Sequence, residues 1–512
     1  MQRIEFLKST YLDSVSLMRI SKAVSGAPGV SNAVVSMATD TNLALMKEVG
    51  FRLEAVGPAS PNDLVIAVEA EDGAAVDRAF DMVMREIKGG RRGSRTALAP
   101  RSIEAAVREH PEINLVLISV PGRYAAHEAR RALAAGRHVM IFSDNVPVED
   151  EVGLKAVGAR EGLLVMGPDC GTAMIGGVGL GFANAVPPGA IGIVSASGTG
   201  AQEVASILGR LGLGVSHIIG TGGRDVSARV GAVTMKMGLE ALARDRATEV
   251  IVIISKAPDP EVAEALLAEA AKTGKPCVVS FAGRPGAGRE GNLVFEPTLT
   301  RTAVTAADLL DGASHRMALD IDRSALERLR GGIGPPRRYL RGLYSGGTLA
   351  QEAMFLLGPH LGRIHSNLHV EGCPVLSDPQ ASVGHTIIDL GDDVFTRGRA
   401  HPMIDQAQRL ARLAREAGDP ETAVILLDVV LGYGCNSDPG GEIGAGLEEI
   451  RRSRAAGVSM PVIVASICGT YADPQDYRRQ KRALETAGVA VAPTNAGACE
   501  LVRELLEGAP DG

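Results

Sequence analysis

Apolar residues along this chain fall into short β-branched runs, separated by longer Ala/Leu/Glu/Arg-rich stretches whose apolar positions recur at three- and four-residue spacing. The runs predict buried strands and the stretches predict amphipathic helices, because strand side chains repeat every two residues and a helix face about every 3.6. Strands are expected at residues 3–8, 115–120, 138–142, 163–166, 250–255 and 424–428, with a helix over 14–24. Strand and helix alternate almost throughout, so the expected fold class is α/β, with parallel sheets covered by helices. The 62 glycines and 27 prolines recur at element ends, as short βα and αβ turns require.

The 512 residues suffice for three or four domains at roughly 150 residues each. Five segments are expected: a small α+β domain over 1–92, a Rossmann-like domain over 93–188, a third domain over 189–316, a charged linker over 317–338, and a fourth domain over 339–512. A polar Gly-rich run, Lys88 to Arg95, separates the first two, and Gly331-Gly332 with Pro335-Pro336 marks the later linker.

Charge and composition narrow the partners. The net charge is −7 and no long basic run occurs, which argues against nucleic acid as a partner. Aromatics are 3% and tryptophan is absent, so base-stacking platforms are disfavoured as well. The apolar runs are strand-length, far below the ~20 residues of a membrane helix, and the first residues lack the apolar core of a signal peptide. Cysteines 170, 277, 373, 435, 468 and 499 are scattered without a Cys-x-x-Cys pair, which in so long a chain reads as reduced thiols of a cytoplasmic protein.

The third and fourth domains read as copies of one another. Ile193-Val-Ser-Ala-Ser-Gly-Thr-Gly-Ala-Gln-Glu203 matches Leu343-Tyr-Ser-Gly-Gly-Thr-Leu-Ala-Gln-Glu352. Downstream, Gly222-Gly223-Arg224-Asp225 parallels Leu390-Gly391-Asp392-Asp393, and Lys275-Pro276 parallels Met460-Pro461. Each copy runs a strand into a Ser/Gly/Thr corner and then a helix, whose first amides lack intrahelical acceptors and carry the positive end of the helix dipole. Ser195, Ser197, Gly198 and Thr199 in one corner, and Ser345, Gly346, Gly347 and Thr348 in the other, are therefore candidates for phosphate or carboxylate binding. Taken singly, Ser197 and Ser345 serve equally well as helix caps. The pairing suggests two anions held facing each other. The second Gly-rich turn of copy one adds Gly222, Gly223 and Arg224, whose guanidinium fork suits either anion. Neither common nucleotide fingerprint is present.

These residues carry a family resemblance. Gly167-Pro168-Asp169-Cys170-Gly171, Gly192-Ile-Val-Ser-Ala-Ser-Gly-Thr199 and Gly220-Thr-Gly-Gly223 resemble the α chain of succinyl-CoA synthetase, and residues 339–506 resemble the ligase domain of its β chain. The whole length resembles the FdrA family of acyl-CoA synthetases, notably through residues 13–18, 391–405 and 467–476. The resemblance implies a CoA-binding-type Rossmann domain followed by two flavodoxin-like ligase domains. It also exposes departures. Succinyl-CoA synthetases carry a phosphohistidine in a Gly-His-Ala-Gly segment, but Gly283-Arg-Pro-Gly-Ala-Gly-Arg-Glu-Gly-Asn292 holds no histidine. Lys256 stands where the glutamate that steadies the phosphohistidine is expected, the CoA-phosphate turn has no clear counterpart before Ala97, and there is no ATP-grasp module.

The expected function is thus a subunit of an acyl- or carbamoyl-transferring enzyme, with Arg224 and Lys256 between or beside the corners. Some members of the family form part of oxamate carbamoyltransferase, which converts oxalurate and phosphate to oxamate and carbamoyl phosphate in allantoin use. Two alternatives stand beside it: an acyl-CoA ligase subunit served by an ATP-binding partner, and a non-catalytic scaffold. Phosphate is expected as a substrate, CoA is the one candidate cofactor, and further protein subunits are the expected partners.

Other residues are weaker candidates. His401, in Arg-Ala-His-Pro-Met-Ile-Asp, suits acid/base work or a phosphate contact, or equally a polar turn. Asp392 stands at the second ligase turn, where it either helps hold phosphate or caps a helix. His365, His369, Glu371 and Cys373 superficially resemble a zinc site but lie among turn residues, so no metal is expected. Cys435 and Cys170 read as structural thiols.

Overall fold

The computed structural model describes residues 1–8, 10, 12, 14–39, 42–43, 46–47, 50–53, 59–60, 63–90, 100, 102–284, 287–317, 323–396, 399–453 and 460–507. The Gly-rich run expected over 88–95 lies outside these from residue 91 onward, and so does the start of the later linker, 318–322. Contacts divide the chain into two units, one of Met1–Glu112 with Phe395–Asp405, the other of Ile113–Val394 with Gln406–Gly512. Among the described residues no helix is long and apolar enough to cross a membrane.

In the first unit, β1 (Gln2–Leu7), β3 (Leu64–Ala70) and β2 (Val30–Met37) form an antiparallel sheet in the order β1-β3-β2. The run Leu-Val-Ile-Ala-Val-Glu-Ala of β3 is buried on both faces. Its Leu64, Ile66 and Val68 pack with Leu17, Ile20 and Phe80 beneath the helices Ser14–Ser25 and Gly73–Gly90, while Val65 and Ala67 pack with Met46 and Phe51 opposite.

Among its described residues the second unit carries three sheets. A parallel sheet of β4 (Leu115–Ile118), β5 (His138–Ile141) and β6 (Val165–Met166) is the Rossmann-like part. In the next sheet β9 (Pro188–Ser195), β10 (Val215–Gly220), β11 (Val250–Ser255), β12 (Cys277–Phe281) and β14 (Leu293–Phe295) run parallel in the order β14-β12-β11-β9-β10, with the short β13 (Gly288–Glu290) antiparallel at the outer edge of β14. The last sheet orders β16 (Ile364–His365), β17 (His385–Asp389), β15 (Tyr339–Tyr344), β18 (Thr422–Val430), β19 (Val462–Cys468) and β20 (Ala490–Ala492) as β16-β17-β15-β18-β19-β20, all parallel. Numbered from β9, the parallel strands of the first of these sheets read 2-1-3-4-5, and those of the second, numbered from β15 with the two-residue edge strand β16 set aside, read the same, the flavodoxin-like order. The α/β multidomain architecture read from the sequence is therefore the observed one.

Two details differ from expectation. The hairpin of β7 (Thr172–Ile175) and β8 (Val178–Gly181) precedes residue 188 yet pairs through β7 with β10, so sheet membership does not follow that boundary. The later linker is not extended throughout. It contains a helix, Arg323–Gly331, because Leu326 is buried and the Arg330 guanidinium donates to the carbonyl of Glu504.

Candidate functional site

The first corner follows β9. Ser197, in extended backbone, caps the helix Gly198–Arg210, its Oγ accepting from Gly200 N at 2.9 Å. Ser195 Oγ accepts from Ser197 N at 3.0 Å and donates to Ser197 O at 2.7 Å, locking the turn. The corner borders a shallow cleft, about 180 Å³ when the space open to solvent is counted, whose other walls are Asp169–Thr172 and Gly220–Gly222. Gly222 has φ +80°, and a Cβ there would fall 2.1 Å from Pro168 O, so only glycine lets the two turns meet.

The second corner, after β15, is closed from within. The helix Gly347–Leu361 starts at Gly346, which has no side chain to cap it. The carboxylate of Asp428, from β18, binds the two amides just ahead of the helix instead. It accepts from Ser345 N at 2.8 Å, Ser345 Oγ at 3.0 Å and Gly346 N at 2.9 Å, and it pairs with the buried Arg409. In copy one it is Ile254, near the end of β11, that lies against the helix start, its Cγ2 2.9 Å from where a Cβ on Gly200 would be. An apolar residue there leaves the first corner without an internal anion.

The corners do meet, but side chain to side chain. Ser197 Oγ and Thr348 Oγ1 share a hydrogen bond of 2.6 Å, and a Cβ on Gly346 would lie 2.7 Å from Thr199 Cγ2. In the repeat alignment Ser197 corresponds to Gly346 and Thr199 to Thr348, so these two contacts are equivalents across a pseudo-twofold axis. The expectation of two external anions with a reacting group between them is corrected here. One corner already holds Asp428, and the space between the helix starts is filled.

The shared Ala-Gln-Glu has the same symmetry. Glu352 Oε1 accepts from Leu299 N at 2.7 Å, and Glu203 Oε1 accepts from Asn495 N at 3.2 Å. Leu299 opens the helix Leu299–Asp311 that ends copy one, and Asn495 opens Asn495–Leu506, which ends copy two. Each copy's glutamate therefore satisfies an orphan amide of the other, and Asn495 Nδ2 adds a bond to Glu352 Oε2 at 2.8 Å. Burial raises both carboxyls, Glu352 to about 7. The motif that identifies the repeat is thus largely an interface device.

Arg224 is half committed. Its Nε pairs with Glu151 Oε2 at 2.9 Å and its NH2 donates to Val146 O at 2.8 Å. Glu151 in turn meets Lys155, whose fully buried Nζ also reaches Asp225 Oδ1 and Thr221 O. This network pins the Gly220–Asp225 turn to the helix Val148–Glu161. Lys256, exposed just beyond β11, has no ion pair among the described residues, and its Nζ lies 3.7 Å from where a Cβ on Gly223 would be. Asp392 accepts from Val394 N at 3.0 Å in the manner of a helix cap. His401 falls in the other unit, in a turn where its Nδ1 accepts from Met403 N at 3.2 Å.

Two acids that the sequence reading passed over lie near Lys256. Asp169, with φ +56°, borders the cleft, and crowding pushes its carboxyl up to about 6 against the pull of Lys256, although its residue surface stays accessible. Asp389 ends β17. Its Oδ1 accepts from Gly391 N at 2.9 Å, and its Oδ2 lies 2.6 Å from where a Cβ on Gly347 would be. Burial, helped by Asp392 and Asp428 and opposed by Gly391 N and Lys256, raises it to about 7. The Gly-Pro-Asp-Cys-Gly motif could have pointed to Asp169. Asp389 had no signal, because it matters only where β17 meets the second corner.

An acid raised in the folded state favours folding at low pH, and that contribution fades as pH rises from the unfolded value through the folded one. For Asp389 the window runs from about 4 to about 7. Asp389→Asn should remove about one proton from the pH dependence of unfolding between pH 5 and 7, and so gain on the parent as pH rises. Urea midpoints measured across that range check it.

Cys170 and Cys435 are both raised by burial, Cys170 to about 12, which is unsuited to nucleophilic duty. Among the described residues no group of three or more His, Cys, Asp or Glu could hold a metal ion.

Three family descriptions match this chain: "AllF, heavy metal-associated domain" over residues 1–100, "Succinyl-CoA ligase like flavodoxin domain" over 188–317, and "CoA-ligase" over 343–505. Architecture and corners thus define a succinyl-CoA-synthetase-like protein built from CoA-ligase-type domains. The protein YahF of Escherichia coli is 39% identical over 98% of both chains. The chain belongs to the FdrA family of such proteins. An α subunit of the ADP-forming succinate–CoA ligase of Archaeoglobus fulgidus is 31% identical over 36% of this chain and 65% of its own length. Subunit SauD of the ADP-forming sulfoacetate–CoA ligase of Bilophila wadsworthia is 27% identical over 36% of this chain and 64% of its own. Among solved structures, PH0766 from Pyrococcus horikoshii aligns with 81% of this chain and 87% of its own, at 14% identity and a TM-score of 0.33.

The description of residues 1–100 names heavy metal, but the residues do not fit one. No cysteine precedes Cys170 and no histidine precedes His110, so this domain lacks the thiolate and imidazole ligands through which such metals are commonly held. For CoA, the turn sought before Ala97 lies largely outside the described residues. The helix Gly122–Ala134, which follows β4, starts close against neighbouring backbone, since a Cβ on Gly122 would lie 2.1 Å from Asp144 O.

Proposed function

We propose that this chain is a subunit of an acyl- or carbamoyl-transferring enzyme that uses phosphate directly, with oxamate carbamoyltransferase as the particular reaction. The observation that carries the reading is the first corner: a helix start facing a cleft, with the unpaired Lys256 near Gly223, the residue after its Gly220–Gly222 wall, and no histidine in Gly283–Asn292. Phosphate or a substrate carboxylate would sit against the helix start, with Lys256 as countercharge. Oxalurate and phosphate are both anions, and their exchange to oxamate and carbamoyl phosphate needs no carrier histidine. Holding the reactants in place can lower such a barrier by roughly 7–11 kcal/mol. Because the second corner is filled, the other reactant has to be held elsewhere in the assembly, which favours partner subunits in a cytoplasmic complex.

Two measurements test the reading. Titration calorimetry with inorganic phosphate should show binding that Lys256→Met weakens about tenfold, or about 1.4 kcal/mol. The full chain assembled with its natural partner subunits should release carbamoyl phosphate from oxalurate and phosphate, and failure to do so overturns the proposed reaction. A second reading, a CoA-ligase subunit completed by an ATP-binding partner, is favoured by the names of the succinate–CoA and sulfoacetate–CoA ligase relatives. CoA raising the melting temperature without phosphate doing so would select it. Silence towards both ligands would leave a scaffold.

A further inference from the structure

Asp169 stands beside the first corner, and holding an anion there does not use it. It belongs to the wall Asp169–Thr172 of the cleft, alongside Ser195–Gly198 and Gly220–Gly222, and it is exposed. Its backbone is in the left-handed region, φ +56°, with its N–H donating to Ser143 O at 3.0 Å. Its carboxylate makes no hydrogen bond or ion pair among the described residues. Crowding by the protein is the largest influence on it and favours the neutral acid. Lys256, just beyond β11, and Arg224 pull it towards the ionised form, while Asp144, after β5, and Asp393, which opens the helix Asp393–Thr396, push the other way. The balance leaves the carboxyl at about 6.

An oxyanion against the start of the helix Gly198–Arg210 changes that balance. It adds negative charge beside the carboxylate and draws on Lys256, and both effects favour the neutral acid. Asp389 also feels Lys256, but it is not among the residues lining the cleft, and Gly391 N already engages it. We infer that Asp169 is the proton carrier of this corner, taking up a proton as the oxyanion arrives and presenting it to the group that departs. The inference rests on the reading of the corner as an oxyanion site. In the proposed exchange an oxygen of hydrogen phosphate bonds to the carbamoyl carbon of oxalurate, and the bond from that carbon to the inner nitrogen breaks with its electron pair on nitrogen. The nitrogen takes the Asp169 proton and becomes the amide of oxamate, while the Asp169 carboxylate takes the one proton of the phosphate. Atoms and charge balance with no further reactant.

Sulfate is the probe, because it resembles phosphate in shape and charge and carries no proton that titrates near neutral pH. Calorimetry on the full-length chain at pH 7, in two buffers of different ionisation enthalpy, should show about 0.4 proton taken up per sulfate bound, the gain expected when a nearby anion moves a carboxyl from about 6 to about 7. Asp169→Asn keeps the shape and tolerates the left-handed backbone, and it should bind sulfate at least as tightly with the uptake lost. Asp144→Asn should move the pH of greatest uptake downwards, and it decides the matter if Asp169→Asn does not fold. Sulfate bound by the parent without proton uptake overturns the inference and leaves the oxyanion corner standing. Uptake that survives in Asp169→Asn, or that is lost in Asp389→Asn instead, overturns it too. Absence of sulfate binding overturns the corner and the inference together. In the chain assembled with its partner subunits, Asp169→Asn should slow release of carbamoyl phosphate about 100-fold at an unchanged KM for phosphate, and an undiminished rate overturns the delivery of the proton. A parent assembly without this activity removes the delivery step along with the reaction, while the calorimetry still decides the uptake.

Discussion

Replacing Lys155 with methionine lowers the stability of the second unit by about 3–5 kcal/mol, read as an earlier first transition in urea. Lys155 is fully buried, and its Nζ lies 2.8 Å from both Glu151 Oε1 and Asp225 Oδ1. Methionine keeps the volume but removes the charge, leaving two buried carboxylates with Arg224 near only one of them. Asp225 also accepts from Thr234 N and Met235 N at the start of the helix Val233–Arg244, so loss of its partner disturbs that turn as well. Because the chain has several sheets, unfolding need not be one transition, and the affected step is the informative one. Lys272→Met breaks an exposed pair with Glu269 and should leave the midpoint unmoved. If Lys155→Met behaved like Lys272→Met, the network would not be what holds the Gly220–Asp225 turn.

Much of this unit is legible in the chain because its information is local. The runs Val250–Ser255 and Thr422–Val430 are buried along their whole length, as continuous β-branched and aliphatic stretches predict for central parallel strands. The duplicated corners stand out because turn geometry restricts residue type over a few successive positions. What those corners do depends on residues far away in sequence. Asp428 closes the second corner from 83 residues downstream, and Glu203 meets Asn495 across 292 residues. A shared Gly-Thr-x-Ala-Gln-Glu therefore looks like a ligand motif when it is read along the chain. Half of it proves to be a reciprocal clamp once the two sheets face each other. Arg224 shows the same limit: its fork looks free beside a Gly-rich turn, and only the helix Val148–Glu161 brings Glu151 to it.

Asp428→Ile, which installs the residue that copy one carries at this position, should destabilise the chain by about 3–5 kcal/mol, because it leaves Arg409 buried without a counterion. Adding Arg409→Met should return most of that loss, since a buried ion pair replaced by apolar side chains of similar volume is often close to neutral. The recovery stays incomplete. Asp428 also accepts from Ser345 N and Gly346 N, and two unmet amides at a helix start leave about 1 kcal/mol outstanding. A serine at Gly346, the cap copy one uses, cannot supply it, because its Cβ would press on Thr199 at 2.7 Å. The double-mutant cycle should thus give a coupling energy of at least about 2 kcal/mol between residues 409 and 428. Phosphate affinity at the first corner should be unchanged in the double variant, since Ser197, Gly198 and Lys256 are untouched. A coupling near zero would mean that Asp428 serves the helix start alone. Phosphate affinity lost together with Asp428 would mean that the second corner takes part in binding after all.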